Sequence, residues 1–319
     1  MSRKPLVWAV ALLALAGLAA ALALTVGRPL LRSVLRPEPP APLTPLPLSQ
    51  PPPVAVAAAA APAPTLTPAP ATATAAPSVT AAPATAAPTA TPAPPTPTPS
   101  PAPPTPVVVG DRVYTALIPA AVKDGQRFQY TCEYDAAWVV LQTYGIDVSV
   151  DELIERMPHD TSVEPYIVEG PEGFLIYGGD IRTAFSGDYT KNFLARSTGS
   201  AFAGLFASYG LESTPVRSRE ELEAALLRGE LVWMKTTVDF KPWRPATWIT
   251  PSGERIKTVL GNDHAVVAMG FNDEVVVIRD VLGPTSTGPN RPLEYEVPWD
   301  AFMAAWGAQD YDGLAVARP

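Results

Sequence analysis

The proline distribution limits which part of this chain can fold. Of the 40 prolines, 25 lie between Pro37 and Pro106, in a segment of mainly Pro, Ala, Thr and Val whose one charged residue is Glu38. Proline fixes φ and removes a backbone donor, and this composition offers little apolar surface to bury. We therefore expect residues 37–106 to be a disordered, extended linker. Residues 107–319 remain, enough for one domain with a full core.

The N-terminal segment predicts a membrane anchor. Residues 5–26 carry no charge and are long enough to cross a bilayer as a helix, so 1–36 is interpreted as a transmembrane anchor with basic flanks. A cleaved signal peptide is the alternative, but its apolar part is usually about 7–15 residues. Because Pro/Thr-rich stalks hold domains away from a cell surface, we expect a single-pass protein of a bacterial cell membrane, with the domain outside the cytoplasm.

Charge and cysteine content exclude several classes of function. Five basic residues and one acidic residue precede position 107, so residues 107–319 carry a net charge of −12, against −8 for the whole chain. Such a charge argues against a nucleic-acid partner. The single cysteine allows neither an intramolecular disulfide nor a Cys-rich zinc site. We expect no cofactor and no metal, and we expect a monomer.

The cysteine, Cys132, lies at the start of a predicted helix. Thr131 is a plausible N-cap, apolar residues recur at helical spacing up to Tyr144, and Gly145 fits a C-terminal cap. Unpaired N–H groups and the helix dipole favour a thiolate at such a position. The alternative is a buried cysteine that acts as a small hydrophobe.

The remaining pattern predicts helices first and an antiparallel sheet second, which is an α+β order. Capping boxes begin helices after Ser149 and Ser218, a helix covers 201–209, and Gly- and Pro-rich residues 159–190 are interpreted as irregular loop. The predicted strands are 212–216, 231–238, 264–271, 274–280, 293–297 and 314–317, with a helix over 300–306.

A histidine and an aspartate are predicted to meet at one end of a hairpin. His264 begins one β-rich run, Asp280 ends the next, and Asn272-Asp273 lies between the two runs. Residues equidistant from a turn pair across an antiparallel ladder, so these two should be adjacent. Cys132 precedes His264 by 132 residues, within the about 130–150 typical of papain-type enzymes. The other histidine, His159, lies in a Pro-flanked loop and is a poorer candidate base.

Over roughly residues 115–310 the chain resembles papain-clan cysteine peptidases related to the bacteriocin-processing, double-glycine-leader peptidases (cysteine peptidase family 39-like). The matching elements are Gln126, Cys132-Glu133, Tyr144-Gly145, Gly179-Asp180, Tyr209-Gly210, Glu220-Glu221-Leu222 with Gly229, His264-Ala265-Val266-Val267 and Asp280-Val281-Leu282-Gly283. Val281 stands where the family usually has proline. The resemblance implies a papain-like fold, in which the helix that carries Cys precedes an antiparallel sheet that carries His and Asp.

By this resemblance, Cys132 is the nucleophile, His264 the general base and later acid, and Asp280 the group that orients His264. Gln126 would supply an oxyanion-hole donor beside the Cys132 N–H, with Gln129 as the rival candidate. The implied reaction is hydrolysis of a peptide or protein substrate through a thioester. A catalytically silent domain that binds peptide or cell-wall material, with Trp243 and Trp248 in its loops, is the alternative.

Overall fold

The computed structural model describes residues 44–45, 105–241, 244–283 and 291–318. The predicted span 5–26 lies outside these ranges, and no helix within them is both long and apolar enough to cross a membrane. Of the predicted linker, they include residues 44–45 and 105–106.

The described part of the chain contains five α-helices and fourteen strands. The helices are α1 (Cys132–Thr143), α2 (Val150–Arg156), α3 (Gly199–Ala207), α4 (Arg219–Leu227) and α5 (Trp299–Ala308). The strands are β1 (Thr44–Pro45), β2 (Val107–Val109), β3 (Arg112–Tyr114), β4 (Ala116–Leu117), β5 (Tyr166–Gly170), β6 (Gly173–Tyr177), β7 (Ser213–Val216), β8 (Leu231–Thr237), β9 (Pro245–Ile249), β10 (Arg255–Val259), β11 (Asp263–Phe271), β12 (Val275–Arg279), β13 (Glu294–Pro298) and β14 (Gly313–Val316).

The central sheet has the order β1-β13-β12-β11-β8-β14-β7, and β4 also pairs with β11. All pairings described in this sheet are antiparallel. A second sheet has the order β10-β9-β6-β5, in which β6 and β9 are parallel, and β2 pairs with β3. The predicted α+β fold with an antiparallel sheet is therefore confirmed.

Helices cover both faces of the central sheet. Alternate residues of a strand point to opposite faces, so one strand can pack against the helices on both sides. On β11, Ala265 and Val267 pack in one apolar cluster with the buried residues of α1, α2 and α3. Val266 and Ala268 pack in a second cluster with those of α4 and α5. This arrangement buries β11 on both faces and leaves its first residues at the end of the sheet, beside the start of α1.

Local signals in the sequence predicted most of these elements. The Ser149 and Ser218 side chains accept hydrogen bonds from the Glu152 and Glu221 backbone N–H groups, as capping boxes require. Gly145 follows α1 with φ = 81°, the left-handed conformation expected of a C-terminal cap. Thr131 precedes α1 as predicted, but its side chain makes no cap hydrogen bond to the helix and bonds Asp135 and Phe128 instead.

The prediction of irregular loop over 159–190 is wrong in part. This segment contains the hairpin of β5 and β6, and β9 and β10 were not predicted either. The sheet forms because β6 pairs with β9, some 70 residues further along the chain. Short apolar runs between glycines and prolines carry no local signal for such distant pairing.

Candidate active site

Cys132, Gln126 and His264 line one cavity of about 540 Å³. Cys132 is the first residue of α1, and His264 is the second residue of β11. The α1 helix packs against β11, and this packing brings together residues that are 132 positions apart in sequence. The cavity wall also includes Gln129, Phe193, Arg244 and Asn262.

His264 and Asp280 are hydrogen-bonded. Nε2 of His264 lies 2.8 Å from Oδ1 of Asp280, and both side chains are almost fully buried. The β11–β12 hairpin produces this contact, since Val267 pairs with Arg279 and the strands continue toward His264 and Asp280. A register shift between Ala268 and Gly270 inserts one extra residue into β11. With Nε2 engaged by Asp280, Nδ1 is the ring nitrogen that remains for proton transfer.

Three hydrogen bonds hold the Asp280 carboxylate in place. Besides His264, the Leu282 N–H donates to Oδ1 over 2.8 Å and the Tyr295 hydroxyl donates to Oδ2 over 2.5 Å. Burial raises the pKa of Asp280, but His264 and these hydrogen bonds outweigh it and lower the pKa to about 2. Asp280 is therefore an anion at neutral pH and orients the His264 ring. Tyr295 was not predicted as a site residue.

The Gln126 side chain contacts the backbone of Cys132, whereas Gln129 is exposed. In the orientation that satisfies both neighbours, the Gln126 amide oxygen accepts from the Cys132 N–H over 3.2 Å. Its amide nitrogen donates to the Gln129 carbonyl over 3.1 Å. Of the two glutamines, Gln126 thus has its amide beside the nucleophile's N–H.

The loop that carries Gln126 is fixed to α1 by Asp135. Both carboxylate oxygens of Asp135 lie 3.2 Å from the Arg127 N–H, and Oδ2 accepts from the Thr131 hydroxyl over 2.7 Å. Burial raises the pKa of Asp135 to about 6, although Thr131 and Lys123 oppose that rise. Asp135 therefore holds the residue after Gln126 against the first turn of the helix.

The surroundings of Cys132 differ from those expected at a helix start. Its thiol donates to Oε2 of Glu133 over 3.1 Å, and among the described residues no hydrogen bond joins it to His264. Burial raises the pKa of Cys132 well above its usual value, the Glu133 carboxylate raises it further, and Lys235 opposes both. The expectation that the helix start favours a thiolate is therefore wrong for this resting structure, because burial and Glu133 favour the thiol.

Lys235 and Asp263 complete a buried charged cluster that the sequence analysis missed. Lys235 Nζ lies 2.5 Å from Glu133 Oε1 and 2.6 Å from Asp263 Oδ2. The sequence signal for this cluster was a lysine in the middle of the largely apolar run Leu231–Thr237, since a charge at such a position requires a buried partner.

His159 is the histidine that the sequence made the poorer candidate base. Its Nε2 lies 3.0 Å from the Ile154 carbonyl oxygen.

Comparison with known proteins identifies the family. The sequence model of the Peptidase_C39 like family matches residues 118–313, which is more than half of the chain. The chain belongs to this C39-like family. The predicted resemblance and the papain-like α+β fold are thereby confirmed.

A solved structure of a candidate C39-like peptidase from Bacillus anthracis is similar to this C39-like chain, with 22% sequence identity and a TM-score of 0.49. The match covers 64% of this chain and 98% of that one. None of the curated proteins compared with the sequence matches it.

Proposed function

We propose that residues 107–319 form a cysteine peptidase domain that hydrolyses peptide bonds, with Cys132 as nucleophile, His264 as base and Asp280 as orienting group. The buried 2.8 Å contact between His264 and Asp280, beside a cavity that also contains Cys132 and Gln126, is the observation that carries the proposal. Nucleophilic catalysis by a cysteine needs a base near the thiol and a third group that orients the base, and a buried carboxylate in contact with a histidine supplies the last two. Family membership supports the same chemistry.

In the proposed reaction, Sγ of Cys132 attacks the substrate carbonyl carbon while its proton passes to Nδ1 of His264. The oxyanion that forms accepts hydrogen bonds from the Cys132 N–H and the Gln126 amide. For this, the Gln126 amide turns so that its nitrogen, rather than its oxygen, faces the oxyanion. Collapse breaks the C–N bond, His264 gives its proton to the leaving amine, and the acyl group remains on sulfur as a thioester.

Water completes the proposed cycle. His264 accepts a proton from water as the water oxygen attacks the thioester carbonyl, and the collapsing intermediate expels the thiolate, which takes the proton back from His264. Asp280 keeps its charge throughout and stabilises the imidazolium form of His264 in each half of the cycle. The products are a carboxylic acid and an amine, so the reaction needs no cofactor.

The full chain is proposed to be a single-pass protein of the cell membrane. Residues 5–26 would anchor it and 37–106 would carry the peptidase domain outside the cytoplasm, where it acts on peptide or protein as a monomer. The uncharged 22-residue run and the proline-rich segment after it support this topology. Protease treatment of intact cells should release a soluble fragment that begins within 37–106. Full protection of residues 107–319 would contradict the topology.

A silent peptide-binding domain is the second candidate, and the resting Cys132 favours it. A buried thiol with a raised pKa that bonds to a carboxylate is a poor nucleophile. Hydrolysis of a peptide library by the wild-type protein, with Cys132→Ala as the blank, separates the two candidates. Cleavage that disappears in the blank supports the peptidase, and binding of peptides without any cleavage supports the silent domain.

A further inference from the structure

Glu133 is a buried carboxylate that the proposed reaction does not use. It follows Cys132 on the first turn of α1, and its side chain is 1% exposed. Oε2 accepts the hydrogen bond of the Cys132 thiol over 3.1 Å, while Oε1 lies 2.5 Å from Lys235 Nζ. The Ser197 N–H also points to Oε1, at 3.4 Å. A buried carboxylate in contact with the sulfur of a nucleophile has a direct influence on its protonation.

Lys235 links this carboxylate to the strand that carries His264. Its Nζ also contacts Oδ2 of Asp263 at 2.6 Å, and Asp263 directly precedes His264 on β11. Asp263 Oδ1 accepts from Gln309 Nε2 over 2.5 Å, which fixes the second carboxylate. One ammonium thus joins the residue after the nucleophile to the residue before the candidate base.

The ammonium of Lys235 lies between two buried carboxylates, those of Glu133 and Asp263. Burial alone would lower the pKa of Lys235, but the charges of Asp263 and Glu133 raise it, so the ammonium persists at neutral pH. Burial likewise opposes ionisation of Asp263, and Lys235 and Arg196 lower its pKa. On neighbouring elements, Lys235 and Asp263 act on Cys132, Arg196 and Asp312 act on that pair, and His264 lines the same cavity as Cys132. On α1 itself, Tyr134 is the titratable group that Glu133 influences.

We propose that Glu133 is a resting-state acceptor that holds the Cys132 thiol in its protonated form, and that Lys235 is the positioning residue that fixes Glu133 there. The inference rests on the proposed function of Cys132 as a nucleophile. On activation the hydrogen bond from the thiol to Glu133 breaks and Sγ turns about the Cα–Cβ bond. The covalent S–H bond then breaks as the proton passes to Nδ1 of His264. The electron pair stays on sulfur, so this step involves no oxidation or reduction.

Two substitutions of opposite charge should move the reactivity of Cys132 in opposite directions. Glu133→Gln keeps the shape and removes the negative charge beside sulfur, so the pH midpoint of thiol alkylation should fall by about one unit or more. At pH values below the midpoints of both wild type and Glu133→Gln, the variant should be alkylated about three- to tenfold faster, after allowance for the weaker nucleophilicity of a more acidic thiol. Lys235→Met removes the opposing positive charge, so the pH midpoint of Cys132 alkylation in that variant should rise.

The experiment measures iodoacetamide labelling of the full chain against pH. Cys132 is the only cysteine, so every label reports this one thiol. Glu155→Gln, the same change at an exposed position of α2, is the matched control and should leave the midpoint at the wild-type value. Melting temperatures of all variants are recorded. If Lys235→Met does not fold, because Glu133 and Asp263 lose their counter-ion, Glu133→Gln decides alone.

The outcomes distinguish this inference from the peptidase proposal. A Glu133→Gln midpoint that equals the wild-type value, or lies above it, overturns the role of Glu133 even when the wild-type protein cleaves peptides. A lowered midpoint in Glu133→Gln, together with a wild-type protein that cleaves no peptide, supports the role of Glu133 and contradicts the peptidase proposal. Because a loss of packing alone would not move the two variants in opposite directions, opposite shifts support the electrostatic role.

Discussion

Nε2 of His264 lies 2.8 Å from Oδ1 of Asp280, although 16 positions separate the two residues. The contact exists because β11 and β12 form an antiparallel hairpin that turns at residues 272–274. Both side chains are withdrawn from solvent, so their interaction is screened little by salt. The proposed chemistry depends on this pair.

Loss of either reacting group should abolish peptide hydrolysis. Cys132→Ala removes the attacking atom, and His264→Ala removes both the proton acceptor and the later proton donor. Asp280→Ala should reduce hydrolysis less, because the imidazole still samples the productive orientation part of the time. A peptidase assay with the melting temperature of each variant tests the series. Wild-type activity in a folded His264→Ala protein would show that the base is another residue.

Gln126→Ala should lower kcat by on the order of 10²–10³ with little change in KM, because an oxyanion donor acts mainly in the transition state. Gln129→Ala is the matched control, since Gln129 lines the same cavity but its side chain is exposed. Steady-state kinetics of both variants decide between the two glutamines. If Gln129→Ala proves the more damaging change, the oxyanion donor is assigned to the wrong residue.

The Asp280 carboxylate should stabilise the fold in a pH-dependent way. Its pKa in the fold is about 2, below the value of about 3.9 in an unfolded chain, so its contribution is complete above the unfolded value and is lost as the pH falls toward 2. The shift corresponds to about 2–3 kcal/mol. The difference in free energy of unfolding between wild type and Asp280→Asn should therefore shrink between about pH 5 and pH 3. A difference that is constant over this range would contradict the shift.

Tyr295→Phe should weaken the support of Asp280. It removes the hydroxyl that donates to Oδ2 over 2.5 Å and leaves a buried carboxylate oxygen without that donor, at a cost of about 1–3 kcal/mol. Hydrolysis should fall, but less than in Asp280→Ala. Tyr114→Phe is the control, because the Tyr114 hydroxyl donates to another buried carboxylate, that of Glu296, over 2.8 Å. It should lose stability and keep activity, as denaturant unfolding and the peptidase assay can show.

The sequence predicted those parts of the structure that depend on local order. Ser149 and Ser218 mark helix starts through side-chain hydrogen bonds to residues three positions on, Thr131 directly precedes α1, and Gly145 marks the end of α1 through its left-handed backbone. The His264–Asp280 contact follows from one hairpin turn. Each of these features is determined by neighbours along the chain. The 132-residue separation of Cys132 and His264 indicated a papain-type arrangement of the site residues. The resemblance supplied the family, which the comparison confirmed.

Only the tertiary structure decided what surrounds the thiol. Glu133, Lys235 and Asp263 lie on α1, β8 and β11, so their contact arises from packing of one helix on two strands and has no signature in spacing. The same holds for β6 and β9, whose parallel pairing joins segments about 70 residues apart. A helix start predicts a thiolate, but burial and one adjacent carboxylate reverse that preference, because desolvation and a charge at 3.1 Å outweigh a partial helix charge.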